Sequence, residues 1–294
     1  MEVVVASGKG GTGKTFIASN LTYFIWREEG VAVGVDADAE APDLLVALGG
    51  SRRRINAREV RESRKARIDP GKCTGCLRCF EVCRFNAVDV RGGVPSIIEE
   101  YCEGCGACAI ACPAGCIDFY VARTGYINVD ESAAGPIIVT ADLEVGGRNT
   151  GDLVYLAKEE GRRLAWELGA RHVVVDAAAG IGCPVISSLA GADLLIVVVE
   201  PTPPSLKGAK RLLDVAEQFR LRAYLILNKY DLAPDYAEKV AEELGIEVLG
   251  RVRYDRVVAE AYASMEPLLA RDPQHEVSKT LTSIFKHLLE CVLH

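Results

Sequence analysis

A chain of 294 residues, 49% apolar and 26% charged, has room for one large α/β domain, or for a domain plus a small module. Its formal net charge of −7 is the wrong sign for a general nucleic-acid binder. No apolar run reaches the ~18–20 residues that span a bilayer, and Met1-Glu2 leads into Val3-Val4-Val5 without a basic leader or cleavage site, so the chain reads as cytoplasmic.

Residues 3–6 form a short apolar run, predicted as a strand, and residues 7–13 are glycine-rich. Residues 16–29 carry a helical pattern, with Gly30 placed just past its end. A second apolar strand covers 31–36. The rhythm then breaks. Residues 52–67 hold eight basic and two acidic side chains and few apolar ones, which reads as a solvated strand or linker, with an acidic partner or nucleic acid as the sharper alternative. A cysteine-rich stretch follows. From about residue 130 the apolar strands resume at 137–139, 173–175, 194–199, 223–227 and 247–249, separated by helical stretches such as 151–168 and 206–219. Strands alternating with helices predict an α/β fold, a mainly parallel sheet with helices on both faces. The small module therefore interrupts one larger domain, made of residues 1–60 and 125–294, with the insert at 61–124.

Gly8-Lys9-Gly10-Gly11-Thr12-Gly13-Lys14-Thr15 matches G-x-x-x-x-G-K-[ST] directly after a strand and at the start of a helix. The glycines allow backbone N–H groups to close around phosphates, aided by the helix N-terminus. Lys14 would neutralise phosphate charge and Thr15 would hold Mg²⁺. An incidental lysine in a glycine-rich turn leaves the strand and helix on either side unexplained.

Eleven cysteines in a chain of this kind favour metal binding over disulfides, and nine of them fall between Cys73 and Cys116. Cys73-x2-Cys76-x2-Cys79-x3-Cys83 is repeated 29 residues later as Cys102-x2-Cys105-x2-Cys108-x3-Cys112-Pro113. Zinc is the simpler candidate for a single C-x2-C. Two complete runs match the pattern of bacterial two-cluster ferredoxins, where the fourth cysteine of each run serves the other cluster. One [4Fe–4S] cluster would then use Cys73, Cys76, Cys79 and Cys112, the other Cys102, Cys105, Cys108 and Cys83. Gly75, Gly104 and Gly106 permit close backbone approach, and Arg84 stands where the first run would carry proline. Cys116 falls opposite Ala87 in the repeat and reads as packing, and Cys291 reads as core. His172, His275, His287 and His294 show no ligand spacing. The terminal helix places Val277, Leu281, Ile284, Phe285, Leu288 and Val292 on one face without a basic opposite face, which argues for packing rather than a membrane anchor.

The second lysine of the loop, Lys9, makes the sequence resemble the MinD/ParA/Mrp-type P-loop ATPases with a deviant Walker A motif, which include the nitrogenase iron protein. The resemblance implies ATP/ADP and Mg²⁺ as cofactors beside the two clusters, and a nucleotide-dependent homodimer or paralogous heterodimer in which Lys9 reaches the partner's nucleotide. It implies that Asp38, in Asp36-Ala37-Asp38, orients the attacking water while Asp36 lies near the Mg²⁺ shell. Asp176 fits the Walker B position and Gly180 switch II, although Asp176-Ala177-Ala178-Ala179-Gly180 lacks the family's prolines. Asn228 would contact adenine, while Asn228-Lys229-Tyr230-Asp231 read alone is the N-K-x-D guanine signature, which leaves GTP open. Cys183 stands at the spacing of a cluster ligand in the nitrogenase iron protein, with a buried thiol as the alternative. Asn149-Thr150-Gly151 and Gly180-Ile181-Gly182-Cys183-Pro184 extend the resemblance to the subgroup with an inserted two-cluster ferredoxin domain. That subgroup implies ATP hydrolysis coupled to electron transfer or metallocofactor assembly, with a redox or assembly protein as partner, no nucleic acid and no stable membrane anchor. A positioning ATPase with redox-sensing clusters is the rival. Because the insert begins shortly after Asp38, a switch I movement is expected to reach it along the chain.

Overall fold

The computed structural model describes residues 1–148 and 150–293, so Asn149 of the Asn149-Thr150-Gly151 stretch and His294 lie outside the described residues. Strand β1 (Glu2–Ser7) passes through the glycine loop into α1 (Lys14–Glu29), which Gly30 ends at φ 79° with its N–H on the Trp26 carbonyl. Then come β2 (Val33–Ala37), the one-turn helix α2 (Leu44–Ala47) and β3 (Ser51–Val60). The cysteine-rich region runs β4 (Ser63–Ile68), α3 (Arg78–Val82), β5 (Val88–Arg91), β6 (Val94–Ile97), α4 (Ala107–Ala111) and β7 (Ile117–Ala122). The chain returns through β8 (Gly125–Ser132), β9 (Ile137–Leu143), α5 (Thr150–Leu168), β10 (Val173–Ala179) and α6 (Cys183–Leu189). It continues with β11 (Leu194–Val199), α7 (Pro203–Gln218), β12 (Arg222–Asn228), α8 (Pro234–Leu244) and β13 (Glu247–Val252). Helices α9 (Arg256–Ala263), α10 (Leu268–Arg271) and α11 (Glu276–His287) close the chain.

Among the described residues, nine strands form one sheet in the order β13-β12-β11-β1-β10-β2-β9-β8-β3. The first seven are mutually parallel, and β8 and β3 add an antiparallel edge. The parallel strands are covered on both faces, which is why β1 and β11 read as unbroken apolar runs. Alternation still sorts them: Val4 and Ala6 join the core shared with α5 and α7, whereas Val3 and Val5 join the core shared with α1 and α11. Each fully buried valine or leucine here is worth ~1.5–3 kcal/mol of apolar transfer.

The first half of the basic stretch is the outer strand of this sheet, whereas its second half forms β4 in the cysteine-rich region, where Lys65 is buried rather than solvated. Every residue of β3 but Val60 is exposed, yet Arg54 reaches Asp130 at 2.7 Å, and Arg52 and Arg53 reach Glu131 at 3.1 Å. Arginines on an edge strand also repel a second strand that would pair there. Val277, Leu281, Phe285 and Leu288 are buried on the inner face of the terminal helix, and no helix among the described residues is long and apolar enough to cross a membrane. Cys291, expected in the core, is exposed. The chain's last turn, Leu288–Val292, is π-helical; it keeps Val292 inward and leaves Cys291 on the outer side.

The insert repeats its backbone as well as its cysteines. Strand β4 pairs with β7 and β5 with β6, Ile68 opposite Ile117 and Val88 opposite Ile97. Left-handed residues recur at Gly75 and Gly104, Leu77 and Gly106, and Asn86 and Gly115. Leu77 holds φ 59° without being glycine, because it opens α3 in the place where Gly106 opens α4.

Candidate functional site

The glycine loop sits at the C-terminal end of β1, the end at which parallel sheets place their ligands. Two of its glycines are required by contacts. A Cβ on Gly8 would lie 1.9 Å from the backbone of Gly208 on α7, and one on Gly13 would lie 2.3 Å from the amide nitrogen of Asn228. Gly13 also has φ 94°, a value that L side chains rarely adopt. Gly10 and Gly11 face open space and leave the mouth of the loop clear.

Lys14 points its ammonium at Asp38, 3.2 Å away, and at Asp176, 3.7 Å away. Burial opposes its charge, but Asp176, Asp38 and Asp36 outweigh burial and raise its pKa. Burial pushes the Asp176 carboxyl up to about 6, with Lys14 and Thr15 opposing the rise. Burial and then the neighbouring Asp176 push Asp36 well above the usual carboxylate range. Three carboxyl groups around one ammonium leave an excess of negative charge. Within this group Asp176 Oδ1 is buried without a hydrogen-bond partner, and so is Thr12 Oγ1 in the loop. Thr15 and Asp176, whose buried Oδ1 accepts no hydrogen bond, are the donors that fit a divalent cation accompanying phosphates. The two oxygens of Asp36 are taken by the backbone N–H groups of Asp38 at 3.1 Å and Leu44 at 2.7 Å, so this side chain fixes the path from β2 into α2.

Lys9 lies on the opposite side of the loop, paired with Glu200 at 2.7 Å. Lys229 joins them, 3.1 Å from Glu200 and 2.8 Å from the Gly11 carbonyl. Asn228 donates to the Thr12 carbonyl at 2.7 Å and accepts from the Lys229 N–H at 3.1 Å. Gly180, at φ 94°, donates its N–H to the Ser7 carbonyl at 2.9 Å and thereby joins the end of β10 to the start of the loop.

A cavity of about 510 Å³ extends from these groups, a size ordinary for small-molecule sites. Gly10, Gly11, Gly13, Lys14, Thr15, Asp38 and Asn228 line one end. The other wall, missed from the sequence, is Arg253, Tyr254, Asp255, Val258 and Tyr262, from the loop after β13 and from α9. Its one legible signal was position, since these residues follow a strand of the parallel sheet.

The insert carries two further small cavities. One is lined by Cys73, Cys76, Cys79 and Cys112, with Cys116 beside them. The other is lined by Cys83, Cys102, Cys105 and Cys108. Each cavity thus takes three cysteines from one run and the last from the other. All eight are free thiols. Ala66 and Gly104 donate N–H groups to the Cys102 sulfur, and Ala87 to that of Cys83, each at 3.4 Å. Among the described residues no three His, Cys, Asp or Glu side chains converge as a single bound ion requires. Thiols spread around a cavity, with backbone N–H groups aimed at sulfur, fit a multi-iron cluster better than one zinc ion. Cys116 is buried, its sulfur 3.3 Å from that of Cys112. Cys183 opens α6 and is exposed, which corrects its reading as a buried thiol.

Residues 3–268 match the model of the CobQ/CobB/MinD/ParA nucleotide-binding domain. An uncharacterised protein of Methanocaldococcus jannaschii is 31% identical over 269 residues, covering 92% of this chain and 91% of that one. An uncharacterised ferredoxin of the same organism is 42% identical over 60 residues, 19% of this chain and 40% of that protein. Among solved structures, the cell division ATPase MinD of Pyrococcus furiosus superposes with a TM-score of 0.60 at 16% identity, covering 98% of both chains; at that identity the likeness shows the fold alone.

Proposed function

The chain belongs to the CobQ/CobB/MinD/ParA nucleotide-binding family, and on that premise we propose that it is a Mg²⁺-dependent ATPase whose nucleotide cycle is coupled to electron transfer through two [4Fe–4S] clusters in the unit formed by residues 61–124. The observation that carries this reading is the crossing of the cysteine runs, with Cys112 beside the first three thiols and Cys83 beside the second three. Such clusters, when bound, supply low-potential one-electron chemistry.

In this reading Lys14 and the loop amides hold the β- and γ-phosphates, and Thr15 and Asp176 hold the cation. Asp38 takes the place of the group that orients the attacking water. Lys9 adds positive charge to the transferring phosphoryl group, from across a dimer of this chain or with a paralogue. The base lies against Asn228 and the wall after β13. Adenine is favoured over guanine, because the Asp231 carboxylate already accepts the Tyr254 N–H at 2.6 Å and does not line the cavity.

The positioning reading loses much of its support: the apolar face of α11 is buried, and Arg52, Arg53 and Arg54 of β3 are answered by Glu131 and Asp130. Anaerobic purification with iron and sulfide analysis tests the clusters; far fewer than about eight iron atoms per chain would end the two-cluster claim. ATP hydrolysis measured with the clusters oxidised and reduced tests the coupling, and an identical rate with no ATP-dependent electron transfer argues against it.

A further inference from the structure

We propose that the nucleotide site acts on one cluster of the two, the one held by Cys83, Cys102, Cys105 and Cys108, through the connection from β9 to α5 and the buried ammonium of Lys65 that grips it. The proposal rests on the functional reading above and adds which cluster responds, and by what contact.

The connection touches both nucleotide-sensing stretches and the insert. At its start the Leu143 N–H donates to the Ala39 carbonyl at 3.0 Å, and Ala39 directly follows Asp38, the partner of Lys14. At its end Gly151, in the first turn of α5, packs on the helix that begins three residues after Gly180: a Cβ there would lie 3.1 Å from Ser187 Oγ and 3.5 Å from Cys183 Cβ. Between them residues 144–148 are pressed onto the insert. The Glu144 N–H donates to the Thr124 carbonyl at 2.9 Å, and the Arg148 N–H donates to Ser63 Oγ at 2.8 Å. The Arg148 guanidinium pairs with Glu103 at 2.7 Å, next to Cys102. A Cβ on Gly146 would lie 2.6 Å from Glu100 Cα, so nothing larger than glycine fits there.

Lys65 locks this contact. Its ammonium, in a side chain only 2% exposed, donates to the carbonyls of Gly146 at 2.6 Å, Glu99 at 2.9 Å and Cys102 at 2.9 Å. A buried charge held by carbonyl dipoles tolerates little loss of any of them. Displacement of Gly146 therefore falls on Cys102, whose sulfur also accepts the N–H of Ala66, the residue after Lys65. Charge and hydrogen bonds at ligand sulfurs set cluster potential.

The first cluster has no such link. The repeat places Val94, exposed, where the second has Lys65. Among the described residues, no hydrogen bond or ion pair joins residues 69–82 or 105–117 to the nine-stranded sheet. The chain route from Asp38 expected from the sequence runs instead through α2 and along β3, which is paired to β8 over its length.

The test is an EPR-monitored titration of the full chain with dithionite, each cluster taking up one electron, without nucleotide, with Mg-ADP and with a non-hydrolysable Mg-ATP analogue. Cys76→Ser and Cys105→Ser assign the two midpoints. Nucleotide should shift the Cys102 cluster alone. By linkage, a tenfold difference in nucleotide affinity between oxidised and reduced chain equals ~59 mV for one electron. Arg148→Ala, which cuts a partly exposed pair, should shrink the shift at least threefold while iron content and the nucleotide affinity of the oxidised chain stay unchanged; Lys65→Met should remove it. A chain without iron, or without nucleotide binding, overturns the functional reading and this proposal with it. A chain that holds both but shifts neither midpoint, or shifts both equally, overturns this proposal alone, as does an Arg148→Ala chain with the full shift.

Discussion

Lys9 and Glu200 are joined at 2.7 Å across the phosphate loop, with Lys229 on the second oxygen of the same carboxylate. Burial opposes ionisation of Glu200, but the two ammonium groups prevail and hold its carboxyl below the usual range. In a single chain, then, Lys9 is held by an acid of its own chain, whereas Lys14 faces Asp38 and Asp176. The two lysines of one motif thus have different partners.

That difference predicts different defects. Lys14→Ala should abolish ATP and ADP binding in equilibrium titrations. Lys9→Ala should leave affinity within about threefold and lower the hydrolysis rate by ~10³-fold or more, the scale of a charge supplied to a transferring phosphoryl group. Equal loss of binding in both variants would remove the trans role of Lys9.

Asp176 carries a pH signature. Its folded-state pKa of about 6 lies above the unfolded value of about 4. It therefore favours the fold while protonated, a contribution complete below about pH 4 and lost as pH rises through about 6. Asp176→Asn should raise the Tm of the nucleotide-free chain at pH 8, by the equivalent of ~1–3 kcal/mol, and the gain should fade as pH falls through about 6 toward about 4. The same variant should lose Mg²⁺-dependent nucleotide binding. A lower Tm at pH 8 would contradict the account, since it would mean that the pairing with Lys14 outweighs burial.

Cys116 breaks the symmetry of the insert. It lines the Cys73–Cys112 cavity, while Ala87 holds the equivalent place in the other. A thiol donating to the Cys112 sulfur favours the more negative, reduced cluster. Cys116→Ala should keep full iron content and lower the midpoint of that cluster alone by ~20–60 mV, the scale of one weak hydrogen bond to a charged acceptor. An unchanged potential in potentiometric EPR would return Cys116 to packing.

The phosphate loop and the crossed cysteines were legible because each is a short-range pattern: spacing in sequence nearly dictates position in space. The basic stretch at 52–67 gave its polarity but not its pairing, because the antiparallel partner β8 lies more than sixty residues on and carries no motif. Cys183 and Cys291 were misread because burial was taken from residue type, whereas helix phase decides it. The wall at Arg253–Tyr262 and the grip of Lys65 on Gly146 depend on where separate elements meet, and nothing local to either stretch announces them.

The N-K-x-D stretch supplies the last test. In a guanine reader the aspartate accepts from the base, so its loss would remove GTP binding selectively. Here the Asp231 carboxylate holds the Tyr254 N–H, and Tyr254 belongs to the cavity wall, so Asp231 anchors that wall from outside the cavity. Asp231→Ala should therefore weaken ATP binding by a modest factor, about 3–10-fold for one charge-assisted hydrogen bond lost at an exposed site. The ratio of ATP to GTP affinity should stay constant, because Asn228 remains fastened to Thr12. Competition titrations with both nucleotides on the wild type and the variant read that ratio directly. A wild type that prefers GTP, together with a variant that has lost the preference, would reassign the pocket to guanine.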